Sequence, residues 1–255
     1  MIDLIVEKVP ARSRDFFLDD CAPYSIALDG FVAGAPFLEI TPRGPYRNFN
    51  HHEAVDRSCT SATCEQARRA VLLGLYDLFR QDGQRSARLL VNDCDQDVCL
   101  STWILMHPDR ASEPRVRQLS SIEDLLDMSA GTFPLHHERD LLGQVRWVFE
   151  PYARARPHLH AIDAHGMRGV IEDVHLRIEK FVIGEAGAIP LRGAHQRIGG
   201  SALWSMVTVD GPGARELLIS AGARAAIEVT PYPGQSRWSY ALWRRSEYVV
   251  GFPAQ

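Results

Sequence analysis

The feature that most constrains the fold is a strand-like segment that leads through an acidic loop into a helix. Ala87–Val91 is a short apolar segment that ends at Asn92, and residues 98–106 then form an apolar helical pattern that stops before Pro108. Strands followed by helices in this way build α/β sheets. With 45% hydrophobic and 24% charged residues the composition is globular, which excludes disordered, collagen-like and coiled-coil chains.

The other apolar patterns predict more strands and helices, and with them two domains. Before Pro190 we expect strands at residues 24–28 and 37–40 and helices at residues 60–81, 121–128, 136–155 and 167–183. After Pro190 we expect strands at residues 202–209, 224–229, 237–243 and 248–252 and a helix at residues 213–221. Thr60 and Ser61 are the predicted caps of the helix at 60–81. The predicted architecture is α/β, with a sheet-and-helix domain at residues 1–190 and a smaller α+β domain at residues 191–255.

Charge and hydropathy argue against a general duplex-DNA-binding protein and against a membrane protein. A formal net charge of −4 gives no general electrostatic footprint for duplex DNA. No apolar run is long enough to cross a bilayer, and the N-terminus lacks the basic and apolar regions of a signal peptide. We therefore expect a cytoplasmic protein without membrane contact. Aromatic residues in the predicted C-terminal strands leave a homodimer open.

Two adjacent histidines, His51 and His52, form the first group of residues suited to chemistry. They lie between a predicted strand and the predicted helix at 60–81, with Glu53 and Asp56 close behind. Imidazole nitrogens suit Zn, Mn, Fe or Ni, and carboxylates suit harder cations. The alternative interpretation is an exposed polar turn.

Three alternating aspartates, Asp93, Asp95 and Asp97, form the second group. They follow a predicted strand and precede a helix, at the edge where open α/β sheets bind ligands. Carboxylates this dense repel one another unless a cation lies among them. A calcium loop of the EF-hand type is excluded, because its Gly and its distal Glu are replaced by Val98 and Ile104. The alternative is that the aspartates only favour the helix N-terminus.

Both groups together resemble the DHH phosphoesterase superfamily, which includes exonucleases and family II inorganic pyrophosphatases. Asn50-His51-His52-Glu53 is similar to the Asp-His-His signature of the family, and residues 60–65 are similar to the helix start after it. Residues 92–101 are similar to the family's alternating aspartates, and residues 123–133 are a looser match to a later motif. Asn50 stands where the family has Asp, and the aspartates follow the histidines instead of preceding them, as in a circular permutation.

The resemblance implies a metal-dependent hydrolase that cleaves a phosphate ester or anhydride of a nucleotide or a short oligonucleotide. The metal would be Mn²⁺ or Mg²⁺, with Zn²⁺ or Fe as other candidates. The implied metal ligands are His51, Asp93, Asp95, Asp97 and Asp124. The implied catalytic residues are His51, His52 and Asp95. The residues expected to bind the phosphates are Arg57, Arg244 and Arg245.

Two other functions and one structural question stay open at the level of sequence. The chain could be a metal-dependent enzyme for a small metabolite without phosphate, or an inactive binding module, since Asn50 replaces the family's Asp. The cysteines at positions 59, 64, 94 and 99 either form a Zn site or pack as buried thiols. No P-loop, Rossmann, nucleophile-elbow or zincin motif is present.

Overall fold

The computed structural model describes residues 1–56, 59–128 and 139–191, and the backbone of four strands between residues 194 and 244. The chain divides into two compact units. The first unit comprises Met1–Asp124 and Val148–Ala186, and the second comprises Leu125–Trp147 and Gly187–Gln255. The division into domains at residues 1–190 and 191–255 stays a prediction.

Seven strands and eight helices are described before residue 191. The strands of the first unit are β1 (Ile2–Val6), β2 (Ser25–Leu28), β3 (Phe37–Thr41), β4 (Gly44–Phe49), β5 (Arg80–Gln81), β6 (Gln84–Arg85) and β7 (Ala87–Val91). The helices are α1 (Arg14–Asp19), α2 (Thr63–Leu72), α3 (Leu75–Leu78), α4 (Gln96–Met106), α5 (Pro114–Met128), α6 (Arg139–Val148), α7 (Glu150–Ala155) and α8 (Ala164–Val182). Helices α5 and α6 contain the points at which the chain passes between the units. No helix in the described part of the chain has the length and apolarity needed to cross a bilayer.

The first unit is built on a mixed five-stranded sheet of order β1-β7-β2-β4-β3. The strands β1, β7, β2 and β4 are parallel to one another, and β3 pairs antiparallel with β4. This arrangement confirms the predicted α/β class. Because β7, β2 and β4 are neighbours, the loops that follow their carboxyl ends meet at one edge of the sheet.

The sheet is buried on both faces. Phe17 of α1 packs with Ala27, Tyr46 and Leu90 on one face. The alternate residues of β2 and β7 point to the other face and are buried too. Helices α2 and α8 contact strands β4 and β1. A parallel strand covered on both sides needs apolar residues at nearly every position, which is why Ala87–Val91 is so apolar.

Helix α4 is buried from Asp97 to Leu105 and packs between α2 and α8. It is apolar on all sides, as expected of a helix inside a protein. Two buried hydroxyls are bonded within the helix: Ser101 Oγ donates to Asp97 O at 2.6 Å, and Thr102 Oγ1 donates to Val98 O at 2.8 Å. The predicted helix at 98–106 is therefore confirmed, with two more residues at its start.

The prediction of one helix at 60–81 is wrong at both ends. Helix α2 stops at Leu72, because Gly74 adopts a left-handed φ of +90° and the chain then forms the short helix α3 and the hairpin β5-β6. Thr60 and Ser61 do not cap α2 either. The N-cap residue is Ala62, which forms no side-chain cap hydrogen bond.

Carboxylates from other helices bind the N-terminus of α2 instead. The two oxygens of Asp97 accept the backbone N–H groups of Thr63 and Cys64, each at 2.6 Å. Asp124 Oδ1 of α5 accepts the N–H of Ala62 at 2.6 Å. Helix starts leave such N–H groups without an internal partner and favour negative charge, so these carboxylates fix α2 against α4 and α5.

The second unit contains four described strands, β8 (Ala194–Gly200), β9 (Ser205–Asp210), β10 (Ala225–Pro231) and β11 (Trp238–Arg244). They form a sheet of order β11-β10-β9-β8. The predicted hairpin of residues 224–229 and 237–243 is confirmed as the antiparallel pair β10-β11. The predicted helix at 213–221 and strand at 248–252 lie outside the described residues, so the α+β character of this region stays a prediction.

The hydrogen bonds between Asp97 and the start of α2 give a first test. Asp97→Asn leaves one acceptor oxygen and turns an amide N–H₂ toward a backbone N–H, so we expect a loss of about 2–3 kcal/mol in unfolding free energy. Asp95 is the matched control, because it is the N-cap residue of α4 and Asn caps helices equally well. Urea unfolding of both variants checks this. Equal stabilities of Asp97→Asn and wild type would contradict the anchoring role.

A second prediction concerns pH. Burial lowers the pKa of His175 from its usual 6.5 to about 4, and the imidazole lies 3.0 Å from the carbonyl oxygen of Cys99. The unfolded chain therefore binds a proton more readily between pH 6.5 and 4, so stability falls as the pH drops through this window. We expect a loss of about 1–2 kcal/mol between pH 7 and pH 5.

The variant His175→Gln, which keeps a neutral donor, isolates this contribution. Its unfolding free energy should depend less on pH over the same range. The comparison uses urea unfolding at several pH values. Parallel pH profiles for the variant and the wild type would show that His175 is not responsible.

Candidate metal centre

The candidate site lies where three neighbouring parallel strands end. Asp29 follows β2, His51 and His52 follow β4, and the loop after β7 leads to Asp97 at the start of α4. The order β7-β2-β4 places Asp29 on the central strand, between the histidines and Asp97. His51 and Asp97, which are 46 positions apart in the sequence, thereby become neighbours.

Asp29 is the centre of this arrangement. Its Oδ1 atom lies 2.9 Å from His52 Nε2 and 3.2 Å from His51 Nε2, and it accepts a hydrogen bond of 2.9 Å from Thr63 Oγ1. His51 Nε2 also lies 3.5 Å from Asp97 Oδ2. The two imidazole rings pack against each other with centroids 4.3 Å apart.

A tight turn presents Asp29 to the histidines. Asp29 and Gly30 have left-handed φ values of +47° and +87°, and the N–H of Phe31 donates to Leu28 O at 3.0 Å. Two successive left-handed residues favour Asp-Gly or Asn-Gly. The sequence at this point therefore suits both the turn and the position of the carboxylate.

The site is buried on one side and open on the other. The side chains of Asp29 and His51 are 3% and 1% exposed, whereas that of His52 is 42% exposed. Burial on its own would raise the pKa of Asp29, but the hydrogen bonds from His51 and His52 outweigh it and hold the pKa below its usual range. Asp29 is therefore a buried, ionised carboxylate in contact with one buried and one partly exposed histidine.

The donor set fits a divalent cation. Ligand atoms of Asp29, His51 and His52 all lie within 4.8 Å of one another. A metal with bonds of about 2.1 Å needs ligand atoms roughly 3 Å apart, which matches the two distances from Asp29 Oδ1. Two imidazoles and one carboxylate are a known donor set for Zn²⁺ and for Fe²⁺.

The other carboxylates predicted to be ligands have different contacts. Asp93 Oδ1 accepts the N–H of Cys94 at 2.6 Å, and Asp95 Oδ1 accepts the N–H of Val98 at 2.8 Å. Asp97 and Asp124 bind the N-terminus of α2, although Asp97 also faces His51. Among the described residues, the structure brings His51 and Asp97 together and does not place Asp93, Asp95 or Asp124 in a set of three converging ligand atoms.

The loop aspartates nevertheless influence one another. Loss of solvation is the largest cause that raises the pKa of Asp95 well above its usual range, and the charges of Asp29, Asp93 and Asp97 add to it. Loss of solvation likewise raises the pKa of Asp124. The loop aspartates therefore lie close enough to one another and to Asp29 for their charges to interact.

The predicted phosphate-binding arginines cannot be placed at this site. Arg57 and Arg245 lie outside the described residues, and Arg244 is described only as a backbone position at the end of β11. The cysteines fit the packing interpretation in three cases: Cys64, Cys94 and Cys99 are buried and Cys59 is exposed. Burial raises the pKa values of the three buried thiols.

Two residues of the site were missed at the level of sequence: Asp29 and Thr63. Asp29 follows the predicted strand at 24–28 and begins an Asp-Gly turn, a signal that marks the end of a strand. Thr63 gives no such signal. Its contact with Asp29 exists only because Asp97 fixes the start of α2.

Asn50, the residue before the two histidines, supports the loop structure. Its Nδ2 donates to Gly34 O at 2.9 Å and to Val32 O at 3.3 Å, and its Oδ1 accepts the N–H of His52 at 3.0 Å. The residue is fully buried. It therefore needs donors and an acceptor together, which an amide supplies and a carboxylate does not.

These contacts of Asn50 give a further test. Asn50→Asp places a buried carboxylate against two carbonyl oxygens, so we expect a loss of about 2–4 kcal/mol in unfolding free energy at neutral pH. Protonation at acidic pH returns one donor and should narrow the difference from wild type. Urea unfolding at both pH values measures this. Wild-type stability at neutral pH would contradict the assigned role of Asn50.

Comparison of this chain with protein-family models, with curated proteins and with solved structures gives no match.

Proposed function

We propose that Asp29, His51 and His52 hold a divalent metal ion and that the protein is a metal-dependent hydrolase of phosphate esters or anhydrides. The observation that carries the proposal is the convergence of one ionised carboxylate and two imidazole nitrogens at the carboxyl edge of a parallel sheet. This edge is the usual ligand-binding position in open α/β sheets.

The electrostatics of the site support a cation. The negative charges of Asp29, Asp93 and Asp97 add to the loss of solvation that raises the pKa of Asp95, so their repulsion disfavours its ionisation. A divalent ion would offset this repulsion. The resemblance of the His-His and alternating-Asp motifs to DHH phosphoesterases supports phosphate chemistry in particular.

The different burial of the three candidate ligands suggests different roles for them. Asp29 and His51, both buried, would hold the ion and exclude water from the inner side. His52, which is partly exposed, would lie on the side from which substrate approaches. When bound, a divalent ion supplies charge neutralisation for a phosphoryl group and lowers the pKa of water. Asp97, whose Oδ2 lies 3.5 Å from the same Nε2 atom of His51, would place a second negative charge beside the ion.

The composition of the donor set favours a second candidate, a metal-dependent enzyme for a small metabolite without phosphate. Two histidines and one carboxylate are the donor set of non-haem Fe²⁺ enzymes. The surrounding carboxylates disfavour an anionic substrate in the absence of a cation. The identity of the bound metal separates the two candidates, because Mn²⁺ or Mg²⁺ favours phosphate hydrolysis and Fe²⁺ favours the alternative.

The experiment combines elemental analysis with hydrolysis of a generic phosphodiester. Wild type purified without chelator should contain about one equivalent of metal or take up Mn²⁺ in a titration, and should hydrolyse bis(p-nitrophenyl) phosphate only with added Mn²⁺. Asp29→Asn and His51→Ala should each weaken metal binding at least about 100-fold, since each removes a ligand. Asp3→Asn and His158→Ala, at exposed positions outside the candidate ligand set, are the matched controls.

Each outcome decides between the candidates. Metal binding with hydrolysis, both lost in the two site variants alone, supports the phosphoesterase. Stoichiometric Fe²⁺ without phosphodiester hydrolysis supports the second candidate. No binding of Mn²⁺, Zn²⁺ or Fe²⁺ by the wild type would refute both and leave a binding module.

A further inference from the structure

Thr63 is joined to both carboxylates of the site. Its hydroxyl donates to Asp29 Oδ1 at 2.9 Å, and its backbone N–H donates to Asp97 Oδ2 at 2.6 Å. The residue is fully buried at the first position of α2. One residue therefore connects the candidate ligand carboxylate to the carboxylate that anchors the helix.

The hydroxyl of Thr63 differs from the other donors to Asp29 in one respect. His51 and His52 contact Asp29 through Nε2, the same atoms that would bind a metal. A nitrogen that binds a metal presents its lone pair and cannot donate a proton to Asp29. Of the three described donors, Thr63 is the one whose hydrogen bond is compatible with an occupied site.

The position of Thr63 is fixed before any ion binds. Asp97 accepts its N–H and that of Cys64, and Asp124 accepts that of Ala62, so the first residues of α2 are held from two helices. A β-branched side chain has few χ1 rotamers, which restricts the hydroxyl further. Asp29, on its tight turn, therefore meets a preorganised donor.

We propose that Thr63 is a positioning residue that holds Asp29 in the orientation needed to bind the metal ion. The inference rests on the proposed function for the ion itself. Hydrogen bonds to the ligands of a metal orient them, and their loss typically weakens metal affinity about 10- to 100-fold. Asp97 and Asp124 take part by fixing α2, through which they place the hydroxyl of Thr63.

The test measures the affinity for Mn²⁺ of three variants. Thr63→Val keeps the shape and removes the hydroxyl, so we expect the dissociation constant to rise about 10- to 100-fold. Thr63→Ser keeps the hydroxyl and should restore affinity to within about threefold. Thr102→Val is the matched control: it also removes a buried hydroxyl from a helix, but that hydroxyl donates to Val98 O rather than to the site.

A spectroscopic readout separates positioning from general destabilisation. Co²⁺ bound to the wild type and to Thr63→Ser should give the same visible absorption spectrum, whereas Thr63→Val should give a shifted one because Asp29 is no longer held. Thr102→Val should give the wild-type spectrum. A lower melting temperature alone would not produce this pattern.

A double-mutant cycle tests the contact without metal. Thr63→Val should raise the unfolding equilibrium constant about tenfold in the wild-type background, and by far less in the background of Asp29→Gly. Glycine at position 29 tolerates the left-handed φ of +47°, so that background should remain folded.

The results distinguish failure of the inference from failure of the proposed function. Tight Mn²⁺ binding by wild type together with equal binding by Thr63→Val overturns the positioning role. Equal effects of Thr63→Val in both backgrounds of the cycle also overturn it. No ion bound by wild type overturns the metal centre itself, and the cycle then shows whether Thr63 holds Asp29 for another purpose.

Discussion

The hydrogen bonds between the Asp97 carboxylate and the first N–H groups of α2 connect the parts on which the site depends. Asp97 belongs to α4, the helix after β7, and α2 is the helix that follows the His-His loop after β4. A buried carboxylate is costly unless it is fully bonded, and the N-terminus of a helix supplies both donors and a favourable dipole. Helices α2 and α4 are therefore hydrogen-bonded to each other where the loops with the candidate ligand residues end. The orientation of His51 and of Thr63 follows from those hydrogen bonds.

The aspartates near the site have different contacts, although nothing in the sequence distinguishes their roles. Asp29 contacts imidazole nitrogens and a hydroxyl, whereas Asp95 caps its own helix and Asp97 and Asp124 hold another one. These bonds engage Asp95 and Asp124, whereas ligand atoms of Asp29 converge with those of His51 and His52. The charges of Asp29, Asp93 and Asp97 also raise the pKa of Asp95, after the larger effect of lost solvation.

Sequence patterns predicted the parts of the fold that depend on local periodicity. The strand Ala87–Val91, the helix after it and the hairpin of β10 and β11 all follow from apolar spacing and turn residues. The end of α2 was missed because a single left-handed glycine outweighs the apolar spacing beyond it. The parallel order of the strands had no local signal, since it arises from packing between distant segments.

The candidate site was likewise predicted only where local sequence patterns mark it. The location of His51 and Asp97 at the ends of strands could be read from the sequence, because strand ends carry ligands in this class of fold. The importance of Asp29 and Thr63 could not be read from the sequence, because each contacts residues more than 20 positions away. Asn50 is the opposite case. Its place beside the two histidines suggested a chemical role, but its amide group hydrogen-bonds the backbone of the neighbouring loop.

The Asp-Gly turn at the end of β2 has a consequence at the level of the gene. Codons for aspartate become codons for asparagine or glycine through a single base change, and these are the residues that the left-handed backbone at position 29 accepts most readily. Mutation can therefore remove the negative charge from the site without straining the turn that carries it. Selection on the chemistry, rather than on the geometry of the chain, would be the force that keeps aspartate there.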